Sequence, residues 1–317
     1  MPLVISDDRP QDALTSSQIR FLHQRLAKRQ DVRAMRILFL NLMPHVLETE
    51  LQVLRLLANT PLQVEVTLVR SLSSIPATGG EQQLLDHYRS FDEIRNGQYD
   101  GAIIVGHDSD VGGWVGQPTW EHFAEVLNWT QAHVRSSLYI GWAARAAVSH
   151  FHDLLPWFLP ERQVAAVVGR SLLPGHPLLG GLDRNVQLPV ARAIRYDLSL
   201  LNGHDELVAL LASEQCGVHI LQDPAHRRLY LFDHIESSAG MFRREVRKQA
   251  AELGRDPAGD APAPNWRAAA HVLLANWLDV EVYQPLSLSV FADAVNAVPP
   301  AATVRPESTP AVSAAPA

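Results

Sequence analysis

An α/β fold with a largely parallel sheet covered on both faces is the architecture this sequence predicts, and three observations predict it. Short apolar runs of strand length, Met35–Leu40, Val64–Val69, Tyr99–Val105 and Ser137–Ile140, alternate with segments of helical period. The runs are apolar on successive residues rather than on every second one, as buried parallel strands are. The last of them stops at Gly141 and passes at once into the Trp/Ala-rich segment Trp142–Ala147, a strand, a one-residue turn and a helix. In α/β proteins such a turn often mounts a nucleophile at the carboxyl end of a central strand, where the helix dipole favours an anion. Here the turn residue has no side chain.

In chain order, Ser16–Arg29 predicts an amphipathic helix, with Ile19, Leu22 and Leu26 at helical spacing. Met35–Leu40 predicts the first strand, ended by the turn Asn41-Leu42-Met43-Pro44, since Pro44 lacks an amide proton. Glu48–Leu57 predicts a helix and Val64–Val69 the next strand. Ser71–Gly80 predicts a loop and Glu81–Phe91 a short helix. Tyr99–Val105 is a third strand, the polar segment His107–Gln117 a loop, Thr119–His133 a helix and Ser137–Ile140 a fourth strand. Residues 153–200 contain Pro156, Pro160, Pro174, Pro177, Pro189 and Gly180-Gly181, which predicts only short regular structure. Leu207–Ala212, Gly217–Leu221 and Arg228–Phe232 predict three β-runs, the first two a hairpin turning near Gly217. Ser238–Leu253 and Trp266–Val282 predict helices on either side of a Pro-rich loop, Asp256–Pro264.

The composition narrows the function. The chain has 317 residues, is 47% hydrophobic and 19% charged, and carries a formal net charge of −7. This is ordinary for a soluble globular domain, and without a Lys/Arg block it argues against nucleic acid or an anionic membrane as partner. No apolar run reaches membrane-spanning length, and Met1–Pro10 does not read as a signal peptide. The single cysteine, Cys216, allows no internal disulfide and fits a cytoplasmic location. No Cys/His cluster has zinc spacing. Cys216 itself reads as a small core residue. His107 with Asp108 and Asp110 reads as a polar loop tip, and His150 and His152, two residues apart, fall on different helix faces.

One further stretch suggests chemistry. Tyr230-Leu231-Phe232-Asp233-His234-Ile235-Glu236 delivers a His from a β-run with a carboxylate two residues on. Such a pair can serve as general base and orienting acid. The blander reading is a polar turn.

Several blocks together resemble the cysteine-dependent homoserine O-succinyltransferase/O-acetyltransferase family of methionine biosynthesis. They are Asn41-Leu42-Met43-Pro44 with Glu48-Thr49-Glu50, then Arg55–Val64, Phe91-Asp92-Glu93-Ile94, Tyr99-Asp100-Gly101, Trp266-Arg267, Asn276-Trp277-Leu278 and Val282-Tyr283-Gln284. The resemblance runs with gaps from about Arg33 to Gln284. It implies a class I glutamine-amidotransferase-like (flavodoxin-like) three-layer sandwich over residues 33–290. An N-terminal helical extension over 1–32 and a disordered Ala/Pro-rich tail over 291–317 complete the organisation. The family chemistry it implies is ping-pong acyl transfer from succinyl- or acetyl-CoA to the homoserine hydroxyl through an elbow Cys, with a His and a Glu completing the triad.

Residue by residue, the resemblance puts the triad His at His234 and the triad Glu at Glu236, and the elbow Cys position at Gly141. The family Lys after the Asn-Leu-Met-Pro turn is absent, with His45 and Val46 in its place. Gly106-His107-Asp108 stands where the family has Gly-Ala-Pro, and the family's Gly-x-Tyr-Glu-His segment has no counterpart in residues 160–178. Substrate-binding residues implied are Arg192, which aligns with a family Arg, and either Arg247 or Lys248 for the carboxylate-binding Arg after the triad His. The resemblance thus implies no cofactor, acyl-CoA as co-substrate and a homoserine-like amino acid as acceptor, and it is compatible with a homodimer. Two readings stay open: an acyltransferase working by direct attack on the donor, and a scaffold repurposed for binding or regulation.

Overall fold

The computed structural model describes residues 3–7, 9, 11–30, 33–70, 87–107, 118–255 and 265–284. In chain order the elements are β1 (Leu3–Ile5), α1 (Asp12–Ser16), β2 (Phe21–His23), α2 (Gln24–Ala27), β3 (Met35–Leu42), α3 (Val46–Leu57), β4 (Val64–Arg70), α4 (Phe91–Ile94), β5 (Tyr99–Gly106), α5 (Pro118–His133), β6 (Val134–Gly141) and α6 (Trp142–His152). The chain continues with β7 (Trp157–Ser171), β8 (Asn185–Arg195), β9 (Val208–Ser213), β10 (Gly217–Asp223), β11 (Arg228–Leu231), α7 (Ala239–Glu252) and α8 (Arg267–Asn276). A π-helical turn, Trp277–Tyr283, follows α8 directly.

All the strands form one sheet in the order β2-β1-β4-β3-β5-β6-β11-β10-β9-β7-β8. From β2 to β11 every neighbouring pair is parallel, and from β11 to β8 every pair is antiparallel. The apolar runs are continuous because both faces of the sheet are buried. Ile37, Phe39, Ile103 and Val105 pack with Val53, Leu54 and Leu57 of α3 and with Leu273, Leu274 and Trp277 at the end of the chain. Their sequence neighbours Leu38, Leu40, Ala102 and Ile104 pack on the opposite face, with α4, α5 and the small side chains of α6. The alternation follows from the two-residue period of a strand, and it gives three layers, helix, sheet and helix. The predicted α/β architecture and the shared sheet of Met35–Leu40, Tyr99–Val105 and Ser137–Ile140 are therefore what the chain adopts.

Three expectations are corrected. The helix expected over Ser16–Arg29 is broken: Gln18 takes a left-handed φ of 56°, and Phe21–His23 pairs with Leu3–Ile5 instead. Burying Leu3, Val4, Ile5 and Ile19 at the sheet edge outweighs helical periodicity in so short a segment, so Leu3–Ile5 and Phe21–His23 extend the sheet beside the short helices α1 and α2. Residues 153–200 hold two long strands, β7 and β8, rather than short pieces. Their prolines are accommodated: Pro160 lies in the register shift between Phe158 and Gln163, and Pro189 lies on β8, the edge strand, where a missing N–H costs no ladder bond. Third, the helix expected over Trp266–Val282 changes to π geometry at Trp277, whose indole donates to Ser136 Oγ at 2.9 Å. The β9–β10 hairpin turns at Gly217 with φ 71° as expected. The expected loops 71–80 and 256–264, the tail 291–317, and Asp108 and Asp110 lie outside the described residues.

Candidate active site

The parallel strands place their carboxyl ends side by side. Leu42 is in register with Gly106, Gly106 with Gly141, and Ile140 with Leu231. The residues that follow these ends, His45, His107 and His234, all line one cavity of about 530 Å³. A crevice outside the carboxyl ends of parallel strands is where open α/β sheets bind ligands.

Each side chain is positioned by local chemistry. Asn41 shapes the turn after β3: its Oδ1 accepts from the Met43 amide at 3.1 Å, and its Nδ2 donates to the Val46 carbonyl at 2.8 Å. That turn carries His45 to the cavity.

Gly141 joins β6 to α6 with φ 66° and ψ −127°, a region that residues other than glycine enter only at a cost. A Cβ built there would overlap His234 Nε2 and lie 2.6 Å from the Gly106 carbonyl oxygen. The His234 ring therefore occupies the space above the elbow. The two residues face each other, as the resemblance implies for an elbow and its His.

His234 donates from Nδ1 to Glu236 Oε1 at 2.7 Å. This orients the ring with Nε2 toward the elbow. Glu236 is buried, and its Oε2 has no hydrogen-bond partner. The segment is anchored on both sides. Before it, the Asp233 carboxylate accepts from His219 Nδ1 at 2.5 Å and lies 3.4 Å from Arg192 Nε. After it, the Ser237 carbonyl accepts from the Trp266 indole at 2.9 Å. Burial alone would raise the Asp233 carboxyl, but the charges of Arg192 and His219 hold it below the usual carboxylate value.

The expectation for Arg192 is corrected. Its guanidinium is 2% exposed, donates to the carbonyls of Cys216 and Val218 at 3.0 Å each, and does not line the cavity. A side chain beside the buried Asp233 carboxylate and bonded to two carbonyls holds the His234 segment in place, away from the cavity. Of the two alternatives on α7, Lys248 lines the cavity and Arg247 does not.

Sequence reasoning missed Arg162, Arg244 and Glu245, which also line the cavity. Arg162 donates from Nη1 to Glu245 Oε2 at 2.6 Å and from Nε to the Ala191 carbonyl at 3.3 Å. Burial opposes ionisation of Glu245, but the Arg162 hydrogen bond and charge keep its carboxyl below the usual value. Arg244 pairs with Glu48 of α3. Lys248 takes part in neither ion pair. No local motif marks Arg162, because it reaches the cavity on a long strand that the prolines masked.

Cys216 packs with Val167 and Val190 in a small buried cluster. Burial pushes its thiol up, and it does not line the cavity. Among the described residues no group of three His, Cys, Asp or Glu is arranged to hold a metal ion, and no helix is long and apolar enough to cross a membrane.

Comparison with known proteins adds to this geometry. A family model described as homoserine O-succinyltransferase matches residues 2–288. A homoserine O-acetyltransferase of a Synechococcus sp. strain is 35% identical over 298 residues, spanning 90% of this chain and 100% of that protein. A homoserine O-acetyltransferase of Brucella canis is 35% identical over 295 residues, spanning 90% of this chain and 96% of that protein. Among solved structures, a glutamine amidotransferase from Thermotoga maritima matches with a TM-score of 0.52 at 10% identity, over 79% of this chain and 99% of that one. At that identity the likeness concerns the fold alone.

Proposed function

The chain belongs to the homoserine O-succinyltransferase family, and from that premise we propose that it transfers an acyl group from acetyl- or succinyl-CoA directly to the hydroxyl of homoserine or a similar amino acid, a step of methionine biosynthesis. The observation that carries the reading is the His234–Glu236 pair at 2.7 Å, with Nε2 turned to the elbow. In this reading Gly141 stands where the family nucleophile would be and offers no atom to acylate. The His234 Nε2 lone pair accepts the hydroxyl proton as the oxygen attacks the thioester carbonyl. The C–S bond breaks as the tetrahedral adduct collapses, and the proton passes from imidazolium to the departing thiolate. Glu236 orients the ring and stabilises the imidazolium. Lys248, outside both ion pairs of the cavity, is the cation we assign to the acceptor's carboxylate.

A second reading is favoured by one observation, the packing of the His234 ring over the elbow. It is a scaffold that binds the same ligands without turnover.

Steady-state kinetics of thiol release with each donor and homoserine separate the two. Direct transfer is expected to give intersecting double-reciprocal lines and no acyl adduct by intact mass, and His234→Ala should lower kcat by about 100-fold or more. Parallel lines with a trapped acyl-enzyme would overturn the direct route. No homoserine-dependent thiol release with either donor would leave the scaffold.

A further inference from the structure

A second cavity, of about 350 Å³, shares Ser237 with the first and is walled on one side by Ile235 and Glu236. Two helices begin at it. Ser238 and Ala239 open α7, and Trp266 and Arg267 open α8. The α7 amino end is capped by the Ser238 hydroxyl, whereas Trp266 gives α8 no side-chain cap. The positive ends of two helix dipoles thus meet at one space.

Three basic side chains line the same space: Arg55 from α3, and Arg267 and His271 from α8. Among the described residues Arg55 bonds neutral acceptors, Gln52 Oε1 at 2.7 Å and the Ser17 carbonyl at 3.4 Å. Among the described residues none of the three has a carboxylate partner. Burial lowers the Arg55 guanidinium and Arg267 lowers it further, and His271 is lowered by burial, then by Arg267 and Arg55. Arg55 and His271 therefore each feel basic neighbours across this space. The His271 Nδ1 atom is buried without a hydrogen-bond partner. Glu236 is the one acidic residue of the described wall; its Oε1 accepts from His234, and its Oε2 is buried without a hydrogen-bond partner.

We propose that this cavity is a binding site for the phosphate group of a small molecule. Two guanidinium forks, an uncapped helix amino end, an imidazole and neighbouring hydroxyls supply more donors than the two oxygens of a carboxylate can use. They suit the three oxygens and near-double charge of a phosphate monoester. The phosphate has two sources that the shared wall at Ser237 allows: the nucleotide end of a CoA ester whose thioester enters the His234 cavity, or a separate phosphorylated molecule. Binding here does not require the His234 cavity to transfer an acyl group, so this proposal and the acyl-transfer reading fail separately.

Titration calorimetry at fixed ionic strength tests it, with inorganic phosphate and adenosine 3′,5′-bisphosphate as probes. Saturable binding is expected for the wild-type chain. Arg55→Gln and Arg267→Gln should each weaken it about tenfold, while Arg184→Gln, an exposed residue outside the wall, should leave it unchanged. Tighter binding of the bisphosphate supports the nucleotide source, and equal affinities support a separate phosphorylated ligand. Absence of saturable binding by the wild-type chain overturns the site. So does wild-type affinity in an Arg55→Gln/Arg267→Gln double variant whose circular dichroism shows it folded.

Discussion

At the scale of single residues, Gly141 and His234 define each other. The glycine adopts φ 66° and ψ −127°, and the imidazole fills the place where a side chain would begin. Any substitution at Gly141 meets two costs, the backbone conformation and contact with the fixed Gly106 carbonyl. Gly141→Ala should lose at least about 2 kcal/mol of stability, measured by urea unfolding. Gly141→Cys should be destabilised likewise and stay unacylated by acyl-CoA in intact-mass analysis, because its thiol and the His234 ring compete for one space. A stable Cys variant that acylates would show that the ring swings aside freely. Cys216 offers no substitute nucleophile, since it packs between Val167 and Val190 with its thiol pushed up.

At the scale of elements, the turn from α8 into the π-helical segment is pinned by Trp277. Its ring is fully buried and its Nε1 donates to Ser136 Oγ on β6. The same ring lies against Gly101 of β5, where a Cβ would come within 2.9 Å of it. The last described helix thereby locks onto the two central strands that end at the site. Trp277→Ala should cost about 3–5 kcal/mol in urea unfolding, through the cavity left in the core. Trp277→Phe, which keeps most of the ring but not the indole donor, should cost distinctly less. Equal losses in the two variants would mean that the hydrogen bond, and not the packing, carries the anchor.

At the scale of the whole molecule, buried carboxylates couple the fold to pH. Asp223 meets His152, His226 and Arg228. Burial would raise its carboxyl, but hydrogen bonds from His152 and His226 outweigh burial and bring it down to about 2. Asp233 is held low as well. For both, the unfolded chain takes up protons first. The stability they confer is whole above the ordinary carboxylate value of about 4 and is lost as pH falls toward 2. His271, lowered by burial, acts in the same direction below about pH 6.5. Glu281, raised by burial, acts in the opposite one. Urea unfolding between pH 7 and pH 3 should show stability falling with acidification, and Asp223→Asn should flatten the acid limb. Stability that rises steadily on acidification would contradict this account.

Much of this protein was legible in the sequence, because its determinants are local. The continuous apolar runs report strands buried on both faces. Pro44 and Gly141 mark strand ends, and His234 and Glu236 stand two residues apart on one turn, so their pairing needs no distant partner. The elbow and the imidazole are 93 positions apart in the numbering, yet the family blocks brought them together before any coordinates did. Tertiary structure alone decided the rest. Leu3–Ile5 and Phe21–His23 became strands because an open sheet edge offered them partners. Arg192 went to the buried Asp233 rather than to the cavity, and Arg162 reached the cavity along a strand whose prolines sit at a register shift and on an edge. The convergence of Arg55, Arg267 and His271 depends on α3 and α8 packing side by side on one face of the sheet. No spacing in the chain encodes that contact, since its energy comes from burying both helices against the same layer of Ile, Phe and Val.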